Sequence, residues 1–469
     1  MDITEPGPAP VARWADLLSG RNGVRSLALA GGVALHAVNV YIATTILPSV
    51  VRDIGGLDYY AWNTTLFVVA SILGSATSAR LLGAAGPRGA YAAAAALFAL
   101  GTLICAAAPS MPVLLGGRIV QGLGGGFLFA LSYAMIRLVF AEGLWPRAMA
   151  LVSGMWGVAT LVGPAVGGVF AELDAWRWAF WSLLPVVALF AFLALAVLPR
   201  RSGDSNDRTA TPTTQLVLLT AAVLAVSAGS VSNVLAWNVA GIVAALIAAG
   251  ALIVVEAKAR HRLLPRGAFR LGAPLGALYA TMALLAVAVT STEIFVPLFL
   301  QVLHAQTPLT AGYLAALMAA GWTLGSIASS GAGEHGARRA VQAAPIIALI
   351  GMAALTGLVP RPSDGAWNVL APIAVALAAV GFGVGLGWPH LLTRVLKVAP
   401  DDERDLASAS ITTVQLFATA IGAALAGMVA NLGGLTDLGG VAGTSAAAFW
   451  LLAVFALAPF AALKTVATR

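Results

Sequence analysis

The feature that most constrains this chain is a rhythm: apolar stretches about as long as a bilayer is thick, separated by short polar turns. A hydrocarbon core of about 30 Å takes about 20 helical residues to cross. Fourteen stretches qualify: 25–50, 60–82, 89–108, 112–136, 147–171, 178–198, 215–232, 236–256, 272–300, 311–330, 340–359, 367–390, 408–431 and 440–463. Only 10% of the 469 residues are charged and 60% are hydrophobic, against roughly 25% charged in a soluble domain. The chain is expected to be an all-α polytopic membrane protein with fourteen transmembrane helices.

The first apolar stretch is too long for the core of a cleavable signal and lacks a convincing cleavage site, so it is expected to stay as a helix. An even number of spans puts both ends of the chain on one side. Of the 26 Arg and Lys residues, 22 lie on the termini and even-numbered loops, three (Arg52, Arg177, Arg361) on odd-numbered loops, and Arg118 inside a span. The positive-inside rule therefore places both termini in the cytoplasm. The excess of Arg over Lys, with abundant Ala and Gly, suggests a GC-rich bacterium and hence a bacterial inner membrane.

The net charge of +7 is scattered between apolar runs and forms no basic face, which excludes a nucleic-acid partner. The single cysteine, Cys105, allows neither an intramolecular disulfide nor a CxxC metal site. The acidic run DDERD at 401–405 reads as a solvated turn and not a metal centre, and GFGVGLG at 381–387 lies inside an apolar span with no GKS/T ending, so it is no nucleotide loop. No cofactor or metal is expected.

The two longest polar linkers, RRSGDSNDRTATPTTQ and EAKARHRLLPRGAFR, bracket the seventh and eighth spans. They divide the chain into a tail (1–24), a six-helix bundle (25–198), linkers with two inserted helices (199–271) and a second six-helix bundle (272–469). The inserted helices carry almost no polarity and are expected to face lipid. Gly83, Gly86 and Arg88 recur at identical spacing as Gly333, Gly336 and Arg338, and Gly163 and Gly168 recur as Gly422 and Gly427. Related halves with a substrate path between them are a transporter architecture.

The fifth span contains GVATLVGPAVGG (157–168). In a water-exposed helix each Gly costs about 1 kcal/mol and a Pro about 3 kcal/mol relative to Ala. In lipid the balance reverses, because helices associate by close approach through small residues and neighbouring groups can satisfy the carbonyl that Pro164 frees. Gly163 and Gly167 form a GxxxG face.

The whole stretch resembles the GxxxGPxxGG signature of exporters of the major facilitator superfamily, matched at Gly157, Gly163, Pro164, Gly167 and Gly168. LLGGRIVQGLGGG is similar to the family's RxxQGxG motif, with Arg118, Gln121, Gly122 and Gly124 in register. WRWAFW (176–181), HAVNVYIATTILP ending at Pro48, and the two-helix insert resemble the fourteen-helix drug:proton antiporter branch. The resemblance implies the major facilitator fold, two pseudo-symmetric six-helix bundles plus two inserted helices, and a signature face that packs against the opposite half.

Two positions depart from the family. The loop after the second helix reads ARLLGAAGPR, so its usual acid is Gly83, although Gly86 and Arg88 still permit a tight turn. The first-helix acid nine residues before the proline is here Asn39, which cannot titrate. Glu293, in STEIFVPLFLQ, is the carboxylate that lies well inside a span, and an ionisable group there marks function by default. It is expected at the central cavity, as proton carrier or as anchor for a cationic substrate; a place at the outer water interface, about seven residues from the helix end, is the alternative.

His36, one turn before Asn39 on the same face, could titrate instead or stay a neutral hydrogen-bonded histidine. Arg118 must find an acceptor, either Asn39 and first-helix carbonyls, as the resemblance implies, or an interface reached by snorkelling. Trp156, Trp322 and Gln301 complete the candidate pathway, although aromatics in such positions more often anchor and pack.

The reading is a monomeric secondary transporter, not an enzyme, in the lipid bilayer. It exports an amphipathic or cationic small molecule by alternating access in exchange for protons. A proton-independent facilitator, or a lipid or metabolite exporter of the same fold, is the alternative. A polytopic membrane transferase is remote, because it would need interfacial catalytic groups and a sizeable polar domain.

Overall fold

The computed structural model describes residues 13–200, 212–232 and 234–467. The first twelve residues of the expected tail and most of the linker after the sixth span lie outside them. The described residues are helical without strands. A short α1 (Trp14–Leu18) precedes α2 (Gly20–Ile54), α3 (Trp62–Ala106), α4 (Met111–Val139) and α5 (Trp145–Glu172). Then α6 (Arg177–Trp181) and α7 (Leu183–Val197) together make one span. The insert is α8 (Thr213–Ser230) and α9 (Leu235–Lys258). The second half is α10 (Pro274–Leu303), α11 (Pro308–Ser329), α12 (Glu334–Leu358), α13 (Trp367–Val398), α14 (Arg404–Leu432), and α15 (Gly440–Phe455) with α16 (Leu457–Ala467) as one span.

Thirteen helical stretches among the described residues are long and apolar enough to cross a membrane. One of them, Leu57–Ala106, has 50 residues, on the order of 75 Å of helix and more than two bilayer cores. It breaks at Gly86, whose φ of 67° and ψ of 172° are accessible to glycine and strained for other residues. Two spans therefore join there, as the sequence predicts, and the described residues make fourteen crossings. Arg88 fixes the turn: its backbone N–H donates to Pro199 O (3.3 Å) and its Nε to Leu198 O (3.3 Å), tying the break to the end of α7.

Each half is knitted by helices whose glycines admit a neighbour's backbone. In α4, a Cβ at Gly122 would run into the Phe67 carbonyl and one at Gly126 into Ser71, both on α3. The counterpart of α4 in the second half is α13, where a Cβ at Gly381 would run into the Met318 carbonyl and one at Gly385 into Trp322, both on α11. The GFGVGLG stretch is thus a packing face. The signature glycines repeat in the same way. Gly163 of α5 meets Tyr41 of α2, and Gly422 of α14 meets Val287 of α10; Gly168 meets Leu309 at the start of α11, and Gly427 meets Ala61 at the start of α3.

The cores show where the halves join. At the end of the bundle bearing the chain termini, the first half closes on itself: Leu29, Val33, Tyr91, Phe98, Leu131, Met135 and Val197 share a core with no second-half member. Toward the far end, Ile42, Ile46, Tyr60 and Ala159 share one core with Phe295, Phe299, Ala311 and Leu314 of the second half. Cross-half hydrogen bonds gather there too. Tyr313 Oη donates to Leu161 O (3.1 Å), Leu309 N–H to Glu172 Oε1 (3.3 Å) and Asn431 Nδ2 to Asp58 O (3.2 Å).

The insert does not sit wholly against lipid. Leu216, Leu219, Val223 and Val226 of α8 pack with Phe67, Val68 and Ile72 of α3 and with Ala420, Ala424 and Met428 of α14. Trp62 Nε1 donates to Ser227 O (3.1 Å) and Asn431 Nδ2 to Ser230 O (2.8 Å). Only α9 follows the expectation, with Leu235, Trp237, Leu246 and Ile247 exposed. At the termini end, Arg266 in the loop after α9 donates through its backbone N–H (2.7 Å) and Nε (2.8 Å) to Glu403 and pairs with Asp402. These carboxylates hold its guanidinium above the ordinary range. The acidic turn is a docking point for this loop, and no metal-holding cluster occurs among the described residues.

Candidate functional site

Where α2, α5 and α10 cross, the first half meets Glu293. The carboxylate is half-buried on α10 and interacts with the phenol of Tyr41 from α2, which also faces the Thr160 hydroxyl on α5. Gly163 makes this possible, because a Cβ there would stand in the place of Tyr41 Cβ. Pro164 lies against Gly312 of α11, and Gly167 rides on Ile42 O, 3.1 Å from where its Cβ would be. Thr45 returns its hydroxyl to Tyr41 O (2.8 Å), which satisfies it inside an apolar helix. Beyond this contact α5 opens: a Cβ at Gly154 or Gly157 would meet nothing within 4 Å.

A second polar centre lies inside the first half. Arg118 of α4 is 1% exposed. Its Nε donates to Asn63 O (3.2 Å) and its Nη1 to Gln121 Oε1 (2.5 Å), while Gln121 Nε2 donates to Thr102 Oγ1 (2.8 Å). The Phe67 ring lies under the guanidinium, 4.1 Å from Cζ to centroid. Arg118 therefore points inward, but its acceptors come from α3 and its own helix, whereas the resemblance implied Asn39 and first-helix carbonyls. The Asn63 carbonyl, in the first turn of α3, has a second lone pair to offer Arg118.

Asn39 is fully buried and neither side-chain atom has a protein partner. His36 is sandwiched by Phe67 (5.2 Å), Phe129 (5.4 Å) and Trp156 (6.1 Å), and its Nδ1 also lacks a partner. Trp322 pairs with Trp388 at 4.9 Å inside the second half, and the Gln301 amide, near the far end of α10, has no partner on either atom.

The structure thus places Glu293 against Tyr41, and through it Thr160, and gathers Arg118, Gln121 and His36 around Phe67 inside the first half. Sequence reasoning missed Tyr41, Thr160 and Asn63. Tyr41 stands two residues beyond Asn39, but an aromatic inside a span carries no signal that separates packing from function.

Two related halves, fused at one end and holding ionisable groups near their junction, define a polytopic membrane transporter. The sequence model of the Major Facilitator Superfamily matches residues 29–423. A probable multidrug-efflux transporter of Mycobacterium tuberculosis is 41% identical over 89% of this chain and 89% of its own length. Multidrug resistance protein 3 of Bacillus subtilis is 23% identical over 86% and 78%. The crystal structure of a D-xylose-proton symporter superposes with a TM-score of 0.66, 95% of this chain covered and 97% of that one, at 15% identity, which speaks to the fold alone. The chain belongs to the Major Facilitator Superfamily, an integral membrane family of transporters and not of enzymes.

Proposed function

We propose that this protein exports amphipathic, drug-like molecules from a bacterial cytoplasm by alternating access, as a monomer, in exchange for protons. The names of its multidrug-efflux relatives support the substrate class. The excess of Arg and Lys on the termini side, 22 against three, supports a cytoplasmic assignment for that side. With that orientation the shared far-end core closes the outer face and the separate first-half core leaves the inner face apart.

The observation that carries the coupling is Glu293 at the joint, interacting with Tyr41 of the opposite half. With Glu293 charged, the Tyr41 phenol donates to it across the joint and an inward-facing arrangement is favoured. A proton arriving from outside removes the charge and weakens that interaction. A ligand shifts such an equilibrium only by its differential affinity for the two states, and the proton supplies the difference.

The test is efflux from proteoliposomes after a pH jump. Wild type should accelerate a lipophilic dye when the gradient is imposed and Glu293→Gln should not. Flux indifferent to the gradient in both would leave the proton-independent exporter, the reading that Asn39 and Gly83 favour.

A further inference from the structure

The polar centre in the first half is unfinished. Arg118 is a buried cation, yet its acceptors are neutral and no carboxylate pairs with it among the described residues. A buried charge is tolerated when it is paired, and an unpaired one is strongly unfavourable. Around it lie polar atoms with no protein partner. Asn63 Nδ2 belongs to the residue whose carbonyl Arg118 already uses, and Asn63 is 1% exposed. Asn39, 0% exposed, has both amide atoms free.

The register of the antiparallel helices sets Asn39 at the level of this cation. Gly32 of α2 faces Ser132 and Leu128 of α4, and His36 faces Gly125, so the next turn of α2 brings Asn39 level with Gln121. Two helices, α2 and α3, therefore bring spare amide donors to the level of a positive centre on α4. Such a set repels a cation and is matched by an anion with several lone pairs, for which a carboxylate and a guanidinium fork are complementary.

The approach to this nest is aromatic. Phe67, His36 and Phe129 lead from Arg118 to Trp156, which is 36% exposed and sits beside the open face of Gly154 and Gly157. An inorganic anion has no use for these rings, whereas an organic acid fills both parts.

We infer that Arg118, Asn63 and Asn39 form a binding site for the carboxylate or comparable anionic group of an amphiphilic substrate, whose apolar body lies along His36, Phe129 and Trp156. The word substrate rests on the transport reading above; the arrangement of donors does not. The protein accordingly takes acidic or zwitterionic amphiphiles in preference to simple lipophilic cations.

The test uses the full chain in nanodiscs and three fluorescent probes of one size: a naphthyl carboxylate, its methyl ester and a naphthyl trimethylammonium. The carboxylate should bind at least tenfold tighter than the other two. Arg118→Gln should remove that preference. Because that variant can fail to fold, Asn39→Asp is the decisive one: it supplies an internal carboxylate to Arg118, so carboxylate binding should fall tenfold or more while the melting temperature holds or rises. Equal binding of carboxylate and ester overturns the inference, as does unchanged carboxylate affinity in Asn39→Asp, or chloride binding that the carboxylate does not displace. Efflux of the trimethylammonium probe without any carboxylate preference would sink this pocket and spare the transport reading. Carboxylate binding as described, with no probe moved in proteoliposomes, would do the reverse.

Discussion

The halves meet along two seams related by the internal repeat, and the seams are built differently. Along one, α5 lies directly on α11, and Gly168 sits so close that a Cβ would come within 2.5 Å of Leu309 Cα. Along the other, α14 approaches α3 through Gly427, where a Cβ would come within 2.6 Å of the Ala61 methyl. There α8 lies across both helices and takes hydrogen bonds from Trp62 and Asn431. The first seam depends on backbone fit, which cannot yield locally. The second depends on a third helix and a few polar contacts, which can be removed one at a time. A repeat conserves the position of a joint without conserving what holds it.

The largest break in this contrast should come from Gly168→Leu, because backbone stands where the new side chain must go. Overpacking of this kind costs about 1–3 kcal/mol, and efflux should drop more than tenfold with a lowered melting temperature. Gly427→Leu, meeting a methyl group, should cost less; equal losses would show that the seams do not differ as described.

Gly163→Val comes next. It displaces Tyr41 from Glu293, so the response of efflux to a pH jump should fall several-fold, more than efflux down a substrate gradient alone.

Asn431→Ala then tests the insert seam. It removes the donor shared by Asp58 O and Ser230 O, a loss of about 1–2 kcal/mol for one buried and one part-buried hydrogen bond, visible in denaturant melts. The smallest effect is expected at the Arg177–Asp53 pair, 2.6 Å apart but with side chains 37% and 49% exposed. Asp53→Asn should cost under about 1 kcal/mol and less in high salt, and because both residues belong to the first half it should leave the seams unequal as before.

The spans were legible in the sequence because length and apolarity decide them, and the break at Gly86 because a Gly-Pro step can hardly continue a helix. The signature glycines were legible too, since lipid makes small residues the means of close approach. The place of α8 was not. A leucine facing lipid and a leucine facing α3 look alike in sequence, and the acceptors that fix α8 are the backbone carbonyls of Ser227 and Ser230. The partner of Arg118 was misplaced for a similar reason, since the spare lone pair of a backbone carbonyl, at Asn63, leaves no mark on residue type. Glu293 stood out because its charge is costly, whereas Tyr41, its cross-half neighbour, costs far less to bury as a neutral phenol.

The self-contained core at the termini end of the first half gives that half the stiffness of a beam. The 35 residues of α2 make an arm on the order of 50 Å, so a tilt of about 10° at its anchored tip would sweep the free tip through roughly 9 Å. Leverage of this kind turns a shift of about 3 Å beside Tyr41, about 20 Å from the far tip of α2, into an opening the width of an aromatic ring system.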